Sequence, residues 1–315
     1  MAAMTLDQMR IFLAVAEYLH FTRAAEALYI TQPSVSAAIS NLETEYGVKL
    51  FNRIGRRIEI TEAGRLLQVE SAAILQHVTL TERGLRELNN LQRGELRIGA
   101  SIIIGNYWLP YKICEFKRQY PSINVTCTLG NAEQVCAGTV SGDFDLGLVT
   151  TVIKPSLQTD LMQESVGVDR LQIVVGRSHP WFGRSTVSVD ELLTANWVMR
   201  EPGSGVQQVL EQTLQEWAID PAQLNVDLVL TSSEMVKTVV ESGVGIAAIP
   251  SLMVAKEIRF ETLHAVQVAN ANVPARPTLE IVQPIWKLRH RQRFQTKLSI
   301  AFEQCLNSDA TTVAH

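Results

Sequence analysis

Gln32, Pro33, Ser34, Ser36, Ala37 and Ser40 fall along one side of a predicted helix, while Val35, Ile39 and Leu42 recur at i, i+4, i+7 on the other. A solvent-facing helix is ordinarily filled with Lys and Glu. A face of hydroxyls, an amide and alanine, continued by Asn41, suits close approach to another surface. Its natural chemistry is hydrogen bonding to base edges and phosphates in the DNA major groove. The plain alternative is a helical hairpin buried by its neighbours. A second group is Arg53, Arg56 and Arg57, three guanidiniums within five residues, which suits gripping phosphates; a solvated turn is the alternative there. A third group stands at four strand ends: Ser101 to Gly105, Gly130-Asn131, Gly203-Ser204-Gly205 and Ser232-Ser233. Each precedes a helix and offers hydroxyl, amide or free backbone N–H groups to a ligand. Taken singly, each reads first as a helix cap.

The first group needs two helices and a tight turn. Phe21 to Tyr46 supplies them, with Thr22 expected to cap the first helix and a break at Tyr29-Ile30-Thr31. Pro33 then sits in the first turn of a helix starting near Gln32, with Thr31 or Gln32 as its cap. Thr5-Leu6-Asp7-Gln8 is a capping box opening a supporting helix. Gly47 ends the recognition helix. Two short strands, Val48 to Phe51 and Arg57 to Ile60, would form a wing with the arginines at its tip. Thr61 caps a long helix from about Glu62 to Gln92, whose apolar stripe includes Leu66, Ala73, Leu80 and Leu88. That stripe suits a partner helix, or packing along the chain's own second domain.

From Gly94 the pattern becomes βα. Strands are expected at Glu95 to Ala100, Ile123 to Leu129 and Asp145 to Val149, with a turn over Ser101 to Asn106 and a helix through Trp108 and Phe116. A second set follows at Leu171 to Val175, Trp197 to Met199, Val226 to Leu230 and Gly245 to Ile249. Leu279 to Gln283 returns as a strand before a last helix from about Arg289 to Leu306. Alternating strands and helices imply a mainly parallel sheet.

Composition limits the rest. With 315 residues, 46% of them hydrophobic, the chain can bury a large core in two or three domains. Its net charge of −4 excludes generic polyanion binding, so any DNA contact must come from local clusters. Apolar runs fall short of the ~20 residues of a membrane span. Met1 to Arg10 lacks the order of a signal peptide, which places the expected protein in the cytoplasm with no membrane partner. Cys114, Cys127, Cys136 and Cys305 lack CxxC spacing and are read as buried thiols, with a redox switch at Cys127 and Cys136 as the rival. The six histidines are scattered without metal-ligand spacing, and Gly243 to Ala248 mimics a dinucleotide fingerprint in the wrong order. Neither an enzyme, a cofactor nor a metal is expected. A stand-alone solute receptor is the better rival for the C-terminal half.

The stretches AAEALYITQPSVSAAISNLE, LFNR and ITEAG resemble the N-terminal domain of the LysR-type transcriptional regulators. GELRIGAS, HPW, REPGSG and VESGVGIAAIP fit the same family, so the resemblance covers nearly the whole chain. It implies an α/β multidomain protein: a winged helix-turn-helix over residues 1–62, a linker helix over 63–93, and an effector domain over 94–306 built like a periplasmic binding protein. Two α/β subdomains (94–167 with 268–306, and 168–267) would meet at a hinge near Gly167 and Val268, and 307–315 would be a polar tail. The implied partners are double-stranded DNA at a dyad-symmetric promoter site, a small-molecule effector, a second copy or a dimer of dimers, and RNA polymerase.

Within that resemblance Gln32, Pro33, Ser34, Ser36 and Ala37 would face bases. Thr22, Arg23, Thr31, Ser40 and Arg53 would lie nearer the backbone, with Arg56 and Arg57. Ser101, Ile102, Ile103, Gly130, Asn131, Gly203, Ser204, Val206, Ser232 and Ser233 would line the effector cleft. Two positions depart from the family pattern, Ile103 and Val206, where a hydroxyl residue is common. Losing two hydroxyls weakens a cradle for a fully charged anion and suggests an effector with an apolar portion. Ile103 turned into the core would instead leave the pocket polar.

Overall fold

The computed structural model describes residues 4–54, 57–89, 94–269 and 278–307. The chain divides into two compact units, 1–91 and 92–315.

In the first unit, α1 (Leu6–Tyr18) opens on the expected capping box, Thr5 with Gln8. Next, α2 (Phe21–Ala27) is capped by His20, whose Nδ1 accepts from the Thr22 and Arg23 backbone N–H groups. Thr22 is therefore inside the helix, correcting its reading as the cap. Thr31 caps α3 (Gln32–Tyr46), Pro33 lies in its first turn, and Gly47 ends it in the left-handed region. Val35, Ile39 and Leu42 are buried with Phe12, Val15, Leu50 and Phe51, and the Phe12 and Phe51 rings lie 5.4 Å apart.

The wing is an antiparallel pair, β1 (Phe51–Ile54) and β2 (Arg57–Ile60). Its first strand starts three residues later than the sequence suggested, because Leu50 is tied off elsewhere: its N–H donates to Glu43 Oε1 at 2.9 Å and its carbonyl accepts from Thr61. Thr61 Oγ1 accepts from the Gly64 N–H, capping the 28-residue α4 (Glu62–Asn89). A Cβ on Gly64 would stand 2.3 Å from the Leu50 carbonyl oxygen, so only glycine allows this helix so close to the wing. Leu66, Val69, Ile74 and Leu85 leave apolar surface exposed along α4. The expected end of this helix at Gln92 and the tail from 308 lie outside the described residues.

The second unit begins with β3 (Gly94–Ser101). The predicted turn after it is instead helical, α5 (Ile102–Tyr107), followed by α6 (Leu109–Gln119). Ile104 is fully buried, and Gly105 lets this turn of helix lie on Leu129, whose Cδ2 would be 2.1 Å from any Cβ there. Next come β4 (Ile123–Gly130), α7 (Ala132–Ser141), β5 (Leu146–Val149) and the 16-residue β6 (Leu161–Gly176). Then follow β7 (Thr186–Ser188), α8 (Val189–Thr194), β8 (Asn196–Arg200), α9 (Gly205–Glu216), β9 (Asn225–Leu230) and α10 (Ser233–Glu241). The chain closes with β10 (Ile246–Pro250), α11 (Ser251–Arg259), β11 (Leu263–Ala269), β12 (Ile281–His290) and α12 (Lys297–Asn307). The last helix thus starts at Lys297, not Arg289, which belongs to a strand.

These strands form one sheet in the order β4-β3-β5-β12-β6-β10-β8-β9, with β11 beside β6 and β7. The expected parallel order holds inside each half, β4-β3-β5 and β10-β8-β9, but antiparallel β6 and β12 join them. Gly167 faces Ile285 across this pair. Val268, read as the second hinge point, belongs to β11 and is buried with Leu171, Val187 and Trp197 in the core of the second half. Cys136 and Cys305 are buried as expected, whereas Cys114 and Cys127 are exposed. For Cys127 the reason is the place of β4, at the end of the strand order and paired only with β3.

Candidate DNA face and ligand-binding sites

The start of α3 presents its polar side chains as a connected set. Thr31, Gln32, Pro33, Ser34, Ala37 and Ser40 are exposed and Ser36 is half-buried. Thr31 Oγ1 accepts from the Ser34 N–H and lies 2.8 Å from Ser34 Oγ, and Gln32 Nε2 donates to Ser36 Oγ at 2.8 Å. Each pair limits rotamer freedom before any partner arrives and keeps unused donors and acceptors facing outward. Thr22 and Arg23 are exposed on the first turn of α2. Arg53 and Arg57 occupy strand positions opposite Ile58 and Ile54; their side chains and all of Arg56 lie outside what is described.

Glu43 is a positioning residue that the helical pattern did not single out. Its Oε1 accepts from the Leu50 and Phe51 N–H groups, and Lys49 Nζ lies 2.6 Å from Oε2. Burial pushes this carboxyl up, but the Lys49 hydrogen bond and the two backbone donors outweigh it and hold the pKa below its ordinary value of 4.5. The far end of α3 is thereby tied to the first strand of the wing.

In the second unit the four strand-end junctions are less open than their sequence suggests. Asn131 closes a capping box with Gln134, and Ser204 Oγ accepts from the Gln207 N–H, so both serve their own helices. Gly203 precedes that cap with φ +91°, and Gly130 ends β4 beside Asn131. Ser232 begins α10 without a side-chain cap bond, and Ser233 accepts from Arg200. Ser101 Oγ is buried with no hydrogen-bond partner. Ile102 is largely exposed, Ile103 packs against the apolar cluster of the second half, and Val206 is buried in that same cluster. The two departures from the family pattern therefore both serve one apolar core.

Residues missed by pattern reading stand close by. Arg200, at the end of β8, binds both oxygens of Glu201 at 2.8 and 2.9 Å and holds that carboxyl below its ordinary value. Tyr107 donates to Glu234, while Lys237 pairs with Glu234 at 3.1 Å and Glu257 at 2.9 Å. Burial, then the Glu234 hydrogen bond, pushes Tyr107 up to about 12. On the crossing strands Asp169 faces Gln283, both buried. Burial raises the Asp169 pKa against its hydrogen bonds from Ser251, Arg170 and Leu252. The contacts of Tyr107 with Glu234, Lys237 with Glu257 and Asp169 with Ser251 carry no sequence signal, because the partners are distant in the chain.

A cavity of about 810 Å³ opens elsewhere in the unit. It lies between the Thr150-Thr151 turn after β5, one face of α9 and alternate residues of β12, and none of the expected effector residues lines it. Among the described residues no group of three or more His, Cys, Asp or Glu could hold a metal, and no helix is long and apolar enough to cross a membrane.

Comparison with known proteins places both units. Residues 6–65 match the family description "Bacterial regulatory helix-turn-helix protein, lysR family", and residues 89–310 match "LysR substrate binding domain". A probable RuBisCO transcriptional regulator of a Synechocystis species is 32% identical over 298 residues, covering 95% of this chain and 84% of its own length. The crystal structure of full-length CbnR complexed with target DNA has the same fold, with TM-score 0.65, 20% identity, and coverage of 96% of this chain and 99% of that one. The regulatory domain of Synechocystis CcmR in complex with 2-PG aligns with TM-score 0.58 and 22% identity over 70% of this chain and 99% of its own.

Proposed function

Because the chain belongs to the LysR family of transcriptional regulators, we propose that α3 reads a dyad-symmetric promoter site through Gln32, Pro33, Ser34, Ser36 and Ala37. The observation that carries this reading is the exposed start of α3, where Thr31 with Ser34 and Gln32 with Ser36 hold polar groups outward without a charge among them. Thr22, Arg23, Thr31, Ser40 and the wing arginines Arg53, Arg56 and Arg57 contact phosphates, which offsets the chain's net charge of −4 at the one place that meets DNA.

Residues 1–62 form the reading head, 63–93 the pairing helix and 94–306 the effector domain, and the protein works in the cytoplasm without a catalytic step. The exposed Leu66, Val69, Ile74 and Leu85 on α4 support pairing with a second copy, as a homodimer or homotetramer, and RNA polymerase receives the signal. The effector enters at the strand ends around Ser101, Gly130-Asn131, Ser204 and Ser232-Ser233. It is a small organic acid: Ile103 and Val206 pack into the apolar core of the second half, which leaves the pocket polar. Relatives named as probable RuBisCO regulators make RuBisCO promoters the first DNA to try, and the 2-PG of CcmR the first ligand.

A gel shift with such a promoter tests the whole reading. A specific, salt-sensitive shift that a small organic acid changes supports it; ligand binding without any DNA affinity would leave the chain a solute receptor.

A further inference from the structure

We propose that Tyr107 is a positioning residue for the effector: its bond to Glu234 fastens α5 of the first half to α10 of the second and so presets the spacing of the two junctions that open these helices, Ser101 and Ser232-Ser233. The inference rests on the effector site proposed above and adds to it the bond that holds the site ready. Although α5 follows β3 of the first half, it is seated on the second. Ile103 packs against the apolar cluster of Leu171, Trp197 and Val206, and Tyr107 against that of Val236, Val240 and Met253. These two residues are i and i+4, neighbours on one face of the helix.

Polar groups complete the seat. The Tyr107 hydroxyl donates to Glu234 in the first turn of α10. Lys237, one turn further on, pairs with the same carboxylate at 3.1 Å and with Glu257 of α11 at 2.9 Å, and its ammonium lies 5.9 Å from the centre of the Tyr107 ring. Glu234 itself is exposed, so Lys237 is what keeps it under the hydroxyl rather than turned to water. Burial and then the Glu234 bond push Tyr107 up to about 12, so it remains a donor across the neutral range. One residue earlier, Ser233 accepts from Arg200 of β8. The start of α10 is thus pinned from its own half through Arg200 and from the other half through Tyr107.

A ligand held between Ser101 and Ser232-Ser233 needs these two helix starts at one separation. Its affinity is reduced by whatever fraction of the free chain lies at other separations, and a bond already made in the free chain raises the competent fraction. Tyr107 lies six residues past Ser101 and its partner two past Ser232, so it acts through the helices. Phenylalanine would keep the ring in its apolar seat and beside Lys237 while removing only the bond between the halves.

A double-mutant cycle on the full chain tests this, with 2-PG as the probe and calorimetry as the readout: Tyr107→Phe, Glu234→Gln and the two together. Each single change is expected to weaken 2-PG about fivefold at a nearly unchanged thermal midpoint, and the double variant no further than either alone, because both remove the same bond. Hydrogen exchange without ligand supplies a second arm: residues 102–107 and 233–241 should exchange faster in both single variants, about fivefold. Full 2-PG affinity in Tyr107→Phe, or losses that multiply in the double variant, would overturn the proposal. If the unaltered chain binds no 2-PG, the organic-acid reading falls, and the exchange arm still decides the clasp: equal exchange in the unaltered chain and Tyr107→Phe overturns it.

Discussion

The start of α3 and the strand ends of the second unit use the same residue types, Ser, Thr, Asn and Gln, to different ends. On α3 one hydroxyl, that of Thr31, caps the helix, and the polar groups of Gln32, Ser34, Ser36 and Ser40 remain beyond that need. In the second unit Asn131 and Ser204 are each consumed by the helix they begin, and Ser233 is bound by Arg200. A polar residue at a helix start serves the helix first. A recognition face arises where polar side chains outnumber the caps required.

The largest test of that contrast is Ser36→Glu. A carboxylate on the face of α3 repels phosphate and breaks the bond from Gln32, so specific promoter affinity should fall on the order of 100-fold or more, while thermal unfolding stays within about 1 kcal/mol. Fluorescence anisotropy with calorimetry measures both, and undiminished affinity would remove Ser36 from the interface.

Glu43 comes next. Glu43→Ala leaves the Leu50 N–H without its partner and should cost the first unit about 1–3 kcal/mol. Its folded pKa lies below 4.5, so the carboxylate's contribution is present above about that pH and is lost as pH falls through the lowered value. Denaturant midpoints measured from pH 6 downward should show the unaltered chain losing stability that Glu43→Gln never had.

Asn131→Ala should cost about 1 kcal/mol through the lost capping box and leave effector affinity nearly unchanged if the amide serves only as a cap. A tenfold loss of effector affinity at equal stability would instead assign the same side chain both duties.

The smallest effect is spectroscopic. Of six tyrosines, Tyr107 should resist ionisation past the ordinary value of 10, to about 12. Its hydrogen bond is complete below pH 10 and is lost as pH rises through the folded value. Ultraviolet titration against Tyr107→Phe isolates that step.

The reading head was legible in the sequence because its signals are local. Thr31, Pro33 and the Val35, Ile39, Leu42 spacing act within a few residues, and the cap and helix follow from them. The late start of β1 was not legible, since Glu43 reaches seven residues ahead to hold Leu50. Most of β6 was missed for a related reason. Gln163-Glu164-Ser165 and Asp169-Arg170 look like loop, yet Glu164 is paired with Lys287 and Arg289 of the facing strand. The ligand side shows the same limit: Arg200, Glu234 and the cavity walls are assembled from separate strands and helices, and single-chain spacing holds no trace of that meeting.

Gly64 has a mechanical consequence. With no room between the first turn of α4 and the Leu50 carbonyl, and with Glu43 and Thr61 fastening the same loop, the wing and the base of the long helix turn together like a wrench on its bolt. Over 28 residues, about 42 Å at ~1.5 Å per residue, a tilt of ~5° at the far end corresponds to a swing of about 4 Å. A displacement of a few ångströms at the far end of that arm thus turns its base, and the wing fastened to it, by only a few degrees.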